Sequence, residues 1–110
     1  MVGAVGKHVW AFSSGLRPQP LVELEHWGGK ELVRGKRVLD VGCGDGRFAN
    51  GIAPYPASVD GVDPDPGAIA AARKNARSLG LDNARFKAGA AQRLPYQDST
   101  FDVVLLTWAL

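Results

Sequence analysis

Short apolar segments alternate with segments of helical periodicity along most of this chain. The apolar segments are rich in β-branched residues and bounded by Gly, Pro or Asp, and they predict four strands, at residues 37–41, 57–63, 85–88 and 101–107. Between the second and third strands, Asp65 suits a helix N-cap, and the helix is expected to bury residues at spacings of three and four, namely Ile69, Ala72, Ala76 and Leu79. This alternation predicts an α/β fold with a doubly wound parallel sheet.

The segment before the first strand is less regular. Residues 1–17 include three glycines and two serines, which predicts a flexible lead-in, so the domain is expected to span residues 18–110. Within that domain, apolar residues in the range 18–33 predict an imperfect amphipathic helix that a pair of glycines interrupts. A further short helix is expected from about Arg47.

The fourth predicted strand, FDVVLLT, is almost wholly apolar, as a central strand of a parallel sheet should be. Only residues 108–110 follow it, which leaves little chain to pair with its outer edge. An exposed apolar edge promotes association with other chains. We therefore expect a domain truncated after its fourth strand, a fragment that self-associates through that strand.

Composition narrows the function classes. The 13 basic and 11 acidic residues give a net charge of +2 and are scattered, which indicates neither a nucleic-acid nor a membrane surface. No apolar run approaches the roughly 20 residues that cross a bilayer. Cys43 is the single cysteine, so an internal disulfide is excluded, and this low cysteine content is typical of a reducing compartment. One cysteine and two histidines are too few to build a zinc site. We expect a cytoplasmic protein without a bound metal.

The most informative segment is VLDVGCGDG at residues 38–46, where a strand is followed by Gly42, Gly44 and Gly46. We call residues 42–46 the glycine loop. Glycines at a strand-to-helix turn let the backbone approach a ligand closely, and ligands of open α/β sheets bind at this end of the strands. The spacing G-x-G-x-G differs from the dinucleotide pattern G-x-G-x-x-G.

Two carboxylates flank the glycine loop and indicate the charge of its ligand. Asp40 precedes the loop and Asp45 lies within it. Like charges ~4 Å apart at an effective dielectric of ~20 repel by about 4 kcal/mol, so a pyrophosphate is disfavoured and a cationic group is favoured. S-adenosylmethionine meets this demand, because it has no phosphate and carries an ammonium and a sulfonium. Asp63, at the end of the second predicted strand, can accept hydrogen bonds from both ribose hydroxyls.

Three motifs occur in order, VLDVGCGDG, GVDPDPGAIAAARKNA and LPYQDSTFDVV, and they resemble those of class I S-adenosylmethionine-dependent methyltransferases that act on small molecules. The resemblance covers residues 35–110 and implies the Rossmann-like fold of that class. It also implies that Asp40 helps to hold the methionine ammonium, that the backbone of residues 42–44 lies along the methionine, and that Asp63 binds the ribose. Pro64 would pack on the adenine.

The sequence departs from this family at Ala90, where an acidic residue often meets the adenine amino group. Gln92 or the backbone of Ala91 could make that contact instead. The resemblance implies methyl transfer by in-line displacement to an unidentified, small-molecule acceptor, and no catalytic residue can be named. Two alternatives stay open at this point: an NAD(P)-dependent oxidoreductase, and a non-catalytic truncated fragment. We expect the 110 residues alone to be inactive.

Overall fold

The computed structural model describes residues 2–5 and 8–12 as strands, and residues 20–90 and 100–107 in full. Within these ranges the chain forms six strands and four helices. In chain order they are β1 (Val2–Val5), β2 (His8–Phe12), α1 (Pro20–His26), α2 (Lys30–Val33), β3 (Arg37–Val41), α3 (Arg47–Ile52), β4 (Ser58–Asp63), α4 (Pro66–Ser78), β5 (Ala84–Ala88) and β6 (Val103–Leu106).

The six strands form one sheet in the order β1-β2-β6-β3-β4-β5. The four strands predicted from the sequence correspond to β3, β4, β5 and β6, and all their pairings are parallel. In the centre of the sheet, Val38 on β3 pairs with Val103 on one side and Val59 on the other. The predicted α/β class with a parallel sheet is confirmed. Because these strands are parallel, the glycine loop after β3 and Asp63 at the end of β4 lie at the same edge of the sheet.

The chain before Pro20 differs from the sequence expectation. Strands β1 and β2 lie within residues 1–17, where glycine and serine indicated a flexible lead-in. β2 pairs in parallel with β6, and β6 also pairs with β3. The prediction of an exposed edge on the fourth predicted strand is therefore wrong, and self-association through it loses its physical reason. Local composition could not show that the amino-terminal segment supplies the missing partner.

The helices pack on the sheet through the residues that helical periodicity selects, with one exception. Ile69, Ala72 and Ala76 of α4 are at most 4% exposed, whereas Leu79 is 63% exposed. Leu79 follows the last helical residue and is the C-cap of α4, so its side chain leaves the buried face. Asp65 is the N-cap as predicted, because its Oδ1 accepts a hydrogen bond from Gly67 N at 2.9 Å.

An ion pair joins the starts of the two central strands. Asp102 Oδ2 accepts hydrogen bonds from Arg37 N at 3.0 Å and Arg37 Nε at 3.2 Å, and Oδ1 accepts one from Nη2 at 3.1 Å. These bonds lower the pKa of Asp102 from its ordinary value of 3.8 to about 2. Asp102 therefore has a structural role in aligning β6 with β3.

Replacing Asp102 by Asn should cause a small, pH-dependent loss of stability. The carboxylate has the lower pKa in the folded state, so its contribution is complete above its unfolded pKa near 4 and vanishes as the pH falls towards 2. We expect the Tm of Asp102→Asn to lie a few degrees below that of the unmodified protein at pH 7, since the pair is exposed to solvent. The difference between the two Tm values should shrink steadily below pH 4 and disappear only below about pH 2. A difference that persists unchanged at low pH would contradict this account.

Candidate functional site

The glycine loop bends in a way that needs glycine. Gly42, Gly44 and Gly46 have φ angles of +77°, +55° and +82°, in the left-handed region that other residues rarely adopt. A Cβ atom on Gly46 would lie 2.9 Å from the Cβ of Ala72 and 3.1 Å from Cζ of Phe86, so this glycine lets the loop pack against the protein. A Cβ on Gly44 would meet no atom within 4 Å. The loop is therefore packed on one side and open at Gly44.

The backbone N–H groups at the start of the loop already have acceptors inside the protein. Gly42 N and Cys43 N donate to Val62 O at 2.8 and 3.1 Å, and Gly44 N donates to Asp63 Oδ2 at 3.0 Å. These bonds join the loop to the end of β4. A ligand at the opening would meet a fixed backbone surface rather than a set of unused N–H donors.

Asp63 is held in place by the backbone on both of its oxygens. Oδ2 accepts from Gly44 N at 3.0 Å, and Oδ1 accepts from Asp65 N at 2.9 Å. The side chain is half-buried at the carboxyl end of β4. A carboxylate oxygen has two lone pairs, so each oxygen retains one acceptor position beyond its backbone bond. The orientation of this carboxylate is therefore set before a ligand with two hydroxyls arrives. Pro64, the next residue, is exposed beside it.

Asp40 is buried near the carboxyl end of β3, two residues before the glycine loop. Its side chain is fully buried, and its Oδ1 accepts a hydrogen bond from the hydroxyl of Thr107. Thr107 is itself 1% exposed and follows the last residue of β6. Thr107 is not among the residues that the sequence motifs select, although a threonine at the end of an apolar strand, next to a strand with an aspartate near its end, is a usable signal. The bond joins the carboxyl ends of β3 and β6.

Three carboxylates surround the loop with negative charge. Burial raises the pKa of the Cys43 thiol far above its ordinary value, and the charges of Asp40, Asp63 and Asp45 raise it further. Cys43 is free and 5% exposed, so its side chain is a neutral filler in the loop and has no nucleophilic character. The negative charges that add to the effect of burial on the pKa of this thiol also favour a ligand with positive charge near the loop.

Part of the predicted site cannot be placed. Ala91 and Gln92 lie outside the described residues, so their contacts with an adenine stay predictions. Ala90 is exposed just beyond the end of β5, in the position where the family often has an acidic residue. The structure brings together Asp40, Asp63 and the glycines of the loop.

A glycine loop follows one parallel strand, and a carboxylate that can accept hydrogen bonds from two hydroxyls ends the adjacent strand. This arrangement is typical of the class of cofactor-binding α/β proteins with a Rossmann-like sheet. Within that class, residues 32–110 match a family described as a methyltransferase domain, Methyltransf_31. The chain belongs to this methyltransferase family. The nicotinamide alternative receives no support from these matches.

Individual proteins to which the chain is similar are also methyltransferases by name. The uncharacterized methyltransferase YcgJ of Bacillus subtilis is 37% identical over 73 residues, which is 66% of this chain and 29% of YcgJ. Its crystal structure superposes with a TM-score of 0.63, covering 66% of this chain and 31% of that chain. A ubiquinone biosynthesis O-methyltransferase of Azorhizobium caulinodans is 38% identical over 66% of this chain and 28% of its own length. A ribosomal protein L11 methyltransferase of Pseudomonas paraeruginosa is 39% identical over 81% of this chain and 30% of its own length.

The chain thus spans about 30% of the length of the relatives it matches. S-adenosylmethionine is the cofactor that these matches support, and the described residues fit it. The loop is open at Gly44, Asp63 presents two oriented oxygens, and the surrounding carboxylates suit a ligand with a cationic end. Within the described ranges, no helix has the length and apolar character needed to cross a membrane.

Proposed function

We propose that this chain is the cofactor-binding part of an S-adenosylmethionine-dependent methyltransferase with a small-molecule acceptor. The observation that carries the proposal is the opening at Gly44, next to an Asp63 carboxylate that the loop itself orients. The Asp63 carboxylate is thus aligned beside the open face of the loop before any ligand arrives.

Different residues of the chain bind different parts of the cofactor. Asp63 receives the two ribose hydroxyls, and Pro64 offers an apolar surface to the adenine. The backbone at residues 42–44 lies along the methionine part, while the carboxylates of Asp40, Asp45 and Asp63 provide a negative field. When bound, S-adenosylmethionine supplies a methyl group already activated by its sulfonium. The chain's contribution is therefore alignment of that group and exclusion of water from it.

The position of Asp40 suggests how it contributes to the cofactor site. Its carboxylate is buried and bonded to Thr107, so it acts on the methionine ammonium through its charge and through the shape of the loop. Gln92 or the backbone of Ala91 remains our candidate for the adenine contact. We assign no catalytic residue.

A relative whose name refers to ubiquinone biosynthesis supports a small-molecule acceptor, and a ribosomal protein as the acceptor is the competing outcome. We place the activity in the cytoplasm, because a buried, free Cys43 is typical of a reducing compartment.

Calorimetric titration of the full-length protein with S-adenosylhomocysteine tests the proposal. We expect one site per chain with a Kd on the order of micromolar, which corresponds to about −8 kcal/mol. NADH titrated under the same conditions should give no binding heat, since its pyrophosphate would face the carboxylates of the loop. Absence of S-adenosylhomocysteine binding at millimolar concentration, or saturable binding of NADH, would overturn the proposal.

A further inference from the structure

Helix α1 lies outside the residues that match the methyltransferase family, yet it packs against the helix that follows the glycine loop. The family match begins at residue 32, and α1 ends at His26. The ring centroids of Trp27 and Phe48 lie 5.4 Å apart. At the other end of α1, Pro20 packs closely on Gly51, and a Cβ atom added to Gly51 would lie only 2.5 Å from Cγ of Pro20. The first residue of α1 and the residue just after its end thus both contact α3 and hold α1 against it.

Between these two apolar contacts lies an ion pair. Arg47 Nη1 is 3.7 Å from Glu23 Oε1, and the Glu23 side chain is only 4% exposed. Glu23 is four residues from Trp27, so helical periodicity places both on the face of α1 that meets α3. A buried carboxylate is costly unless a positive charge accompanies it. Arg47 provides that charge.

The position of Arg47 connects this ion pair to the glycine loop as well as to α1. Arg47 is the first residue of α3, directly after Gly46, and a cation is unfavourable at that end of a helix. Gly46 N donates to Cys43 O at 3.0 Å, and Gly46 O accepts from Asn50 N at 2.8 Å. Arg47 N also donates to Asp45 Oδ1 within the loop at 3.2 Å, so a displacement of the Arg47 backbone would disturb the end of the glycine loop.

We propose that Glu23 is a positioning residue for the cofactor site: it holds Arg47, and Arg47 fixes the start of α3 and the shape of the glycine loop. This inference rests on the proposed function, because it assigns α1 a role in cofactor affinity. Glu23 touches no reacting group. A role confined to holding α1 in place would change the unfolding temperature and leave the affinity of the folded protein unaltered.

The test compares cofactor affinity among charge variants of the full-length protein. We expect Glu23→Gln to weaken S-adenosylhomocysteine binding about fivefold, and Arg47→Met to do so by a similar factor. Arg47→Lys should recover most of the affinity, because an ion pair at 3.7 Å needs a positive charge rather than the planar guanidinium. All titrations are done well below the Tm of each variant, so that only folded protein is compared.

Glu31→Gln is the matched control. Glu31 on α2 forms an ion pair of the same chemistry with Arg34, the C-cap of that helix, at 3.0 Å, but both side chains are more than half exposed. The affinity of Glu31→Gln for S-adenosylhomocysteine should equal that of the unmodified protein. Hydrogen exchange adds a readout without substitutions, since S-adenosylhomocysteine should slow amide exchange in α1 as well as in the loop.

The outcomes separate the two proposals. If the unmodified protein does not bind S-adenosylhomocysteine, the proposed function fails, and this inference fails with it. If it binds, but Glu23→Gln binds within twofold of it and α1 exchange does not change, only the positioning role is overturned. Should Glu23→Gln not fold, the exchange measurement on the unmodified protein decides the question.

Discussion

Replacing Asp63 by Asn is expected to weaken S-adenosylhomocysteine binding about a hundredfold. The carboxylate accepts one backbone N–H on each oxygen and retains one acceptor position on each for a ribose hydroxyl. Asparagine has one oxygen only, and its NH2 group would face either Gly44 N or Asp65 N, donor against donor. Hydrogen bonds to a charged acceptor contribute about 1.5–3 kcal/mol each, so loss of one or two of them accounts for the expected factor.

Asp65→Asn is the control for this prediction, because it makes the same chemical change two residues away. Asp65 caps α4 through Gly67 N, and Asn is an equally good N-cap, so both stability and affinity should be retained. Calorimetric titration measures the affinity of both variants, and thermal unfolding reports separately on the loss of the loop bonds to Asp63. Equal affinities for the two variants would remove Asp63 from the cofactor site.

Local sequence patterns sufficed for the part of the fold that forms the loop. The apolar strand at residues 37–41, the glycines after it and the Asp65-Pro66 helix start each carry their own signal within a few residues, and the structure has each in place. Asp63 could be selected for the same reason, since it ends a strand that must lie beside β3. These features depend on residues that are close in sequence, so a short segment is enough to predict them.

Contacts between distant segments could not be predicted in the same way. The pairing of β2 with β6 and the ion pair of Glu23 with Arg47 join residues that no local pattern relates. Asp40 shows the consequence for the site. Its position at a strand end predicts a part in holding the methionine ammonium, and that role stays a prediction. The structure adds that the Asp40 side chain is buried and bonded to Thr107. Burial of this kind depends on the packed sheet, so the sequence alone could not show it.

The glycines of the loop should separate stability from affinity. Gly46→Ala is expected to lower the free energy of unfolding by about 3 kcal/mol, since a left-handed alanine costs about 1 kcal/mol and overpacking typically 1–3 kcal/mol more. The added methyl would lie 2.9 Å from the Cβ of Ala72, which α4 holds in place. Total stabilities are about 5–15 kcal/mol, so this loss is large.

Gly44→Ala imposes the same type of backbone strain without that collision, because a Cβ there meets nothing within 4 Å. We expect it to cost about 1 kcal/mol in stability but to weaken S-adenosylhomocysteine binding at least tenfold, as the methyl enters the opening that the cofactor is proposed to occupy. Urea unfolding and calorimetric titration of both variants measure the two effects. If Gly44→Ala binds the cofactor normally, the opening at Gly44 is not the binding face. If Gly46→Ala is as stable as Gly44→Ala, the packing of the loop against α4 is not what fixes its shape.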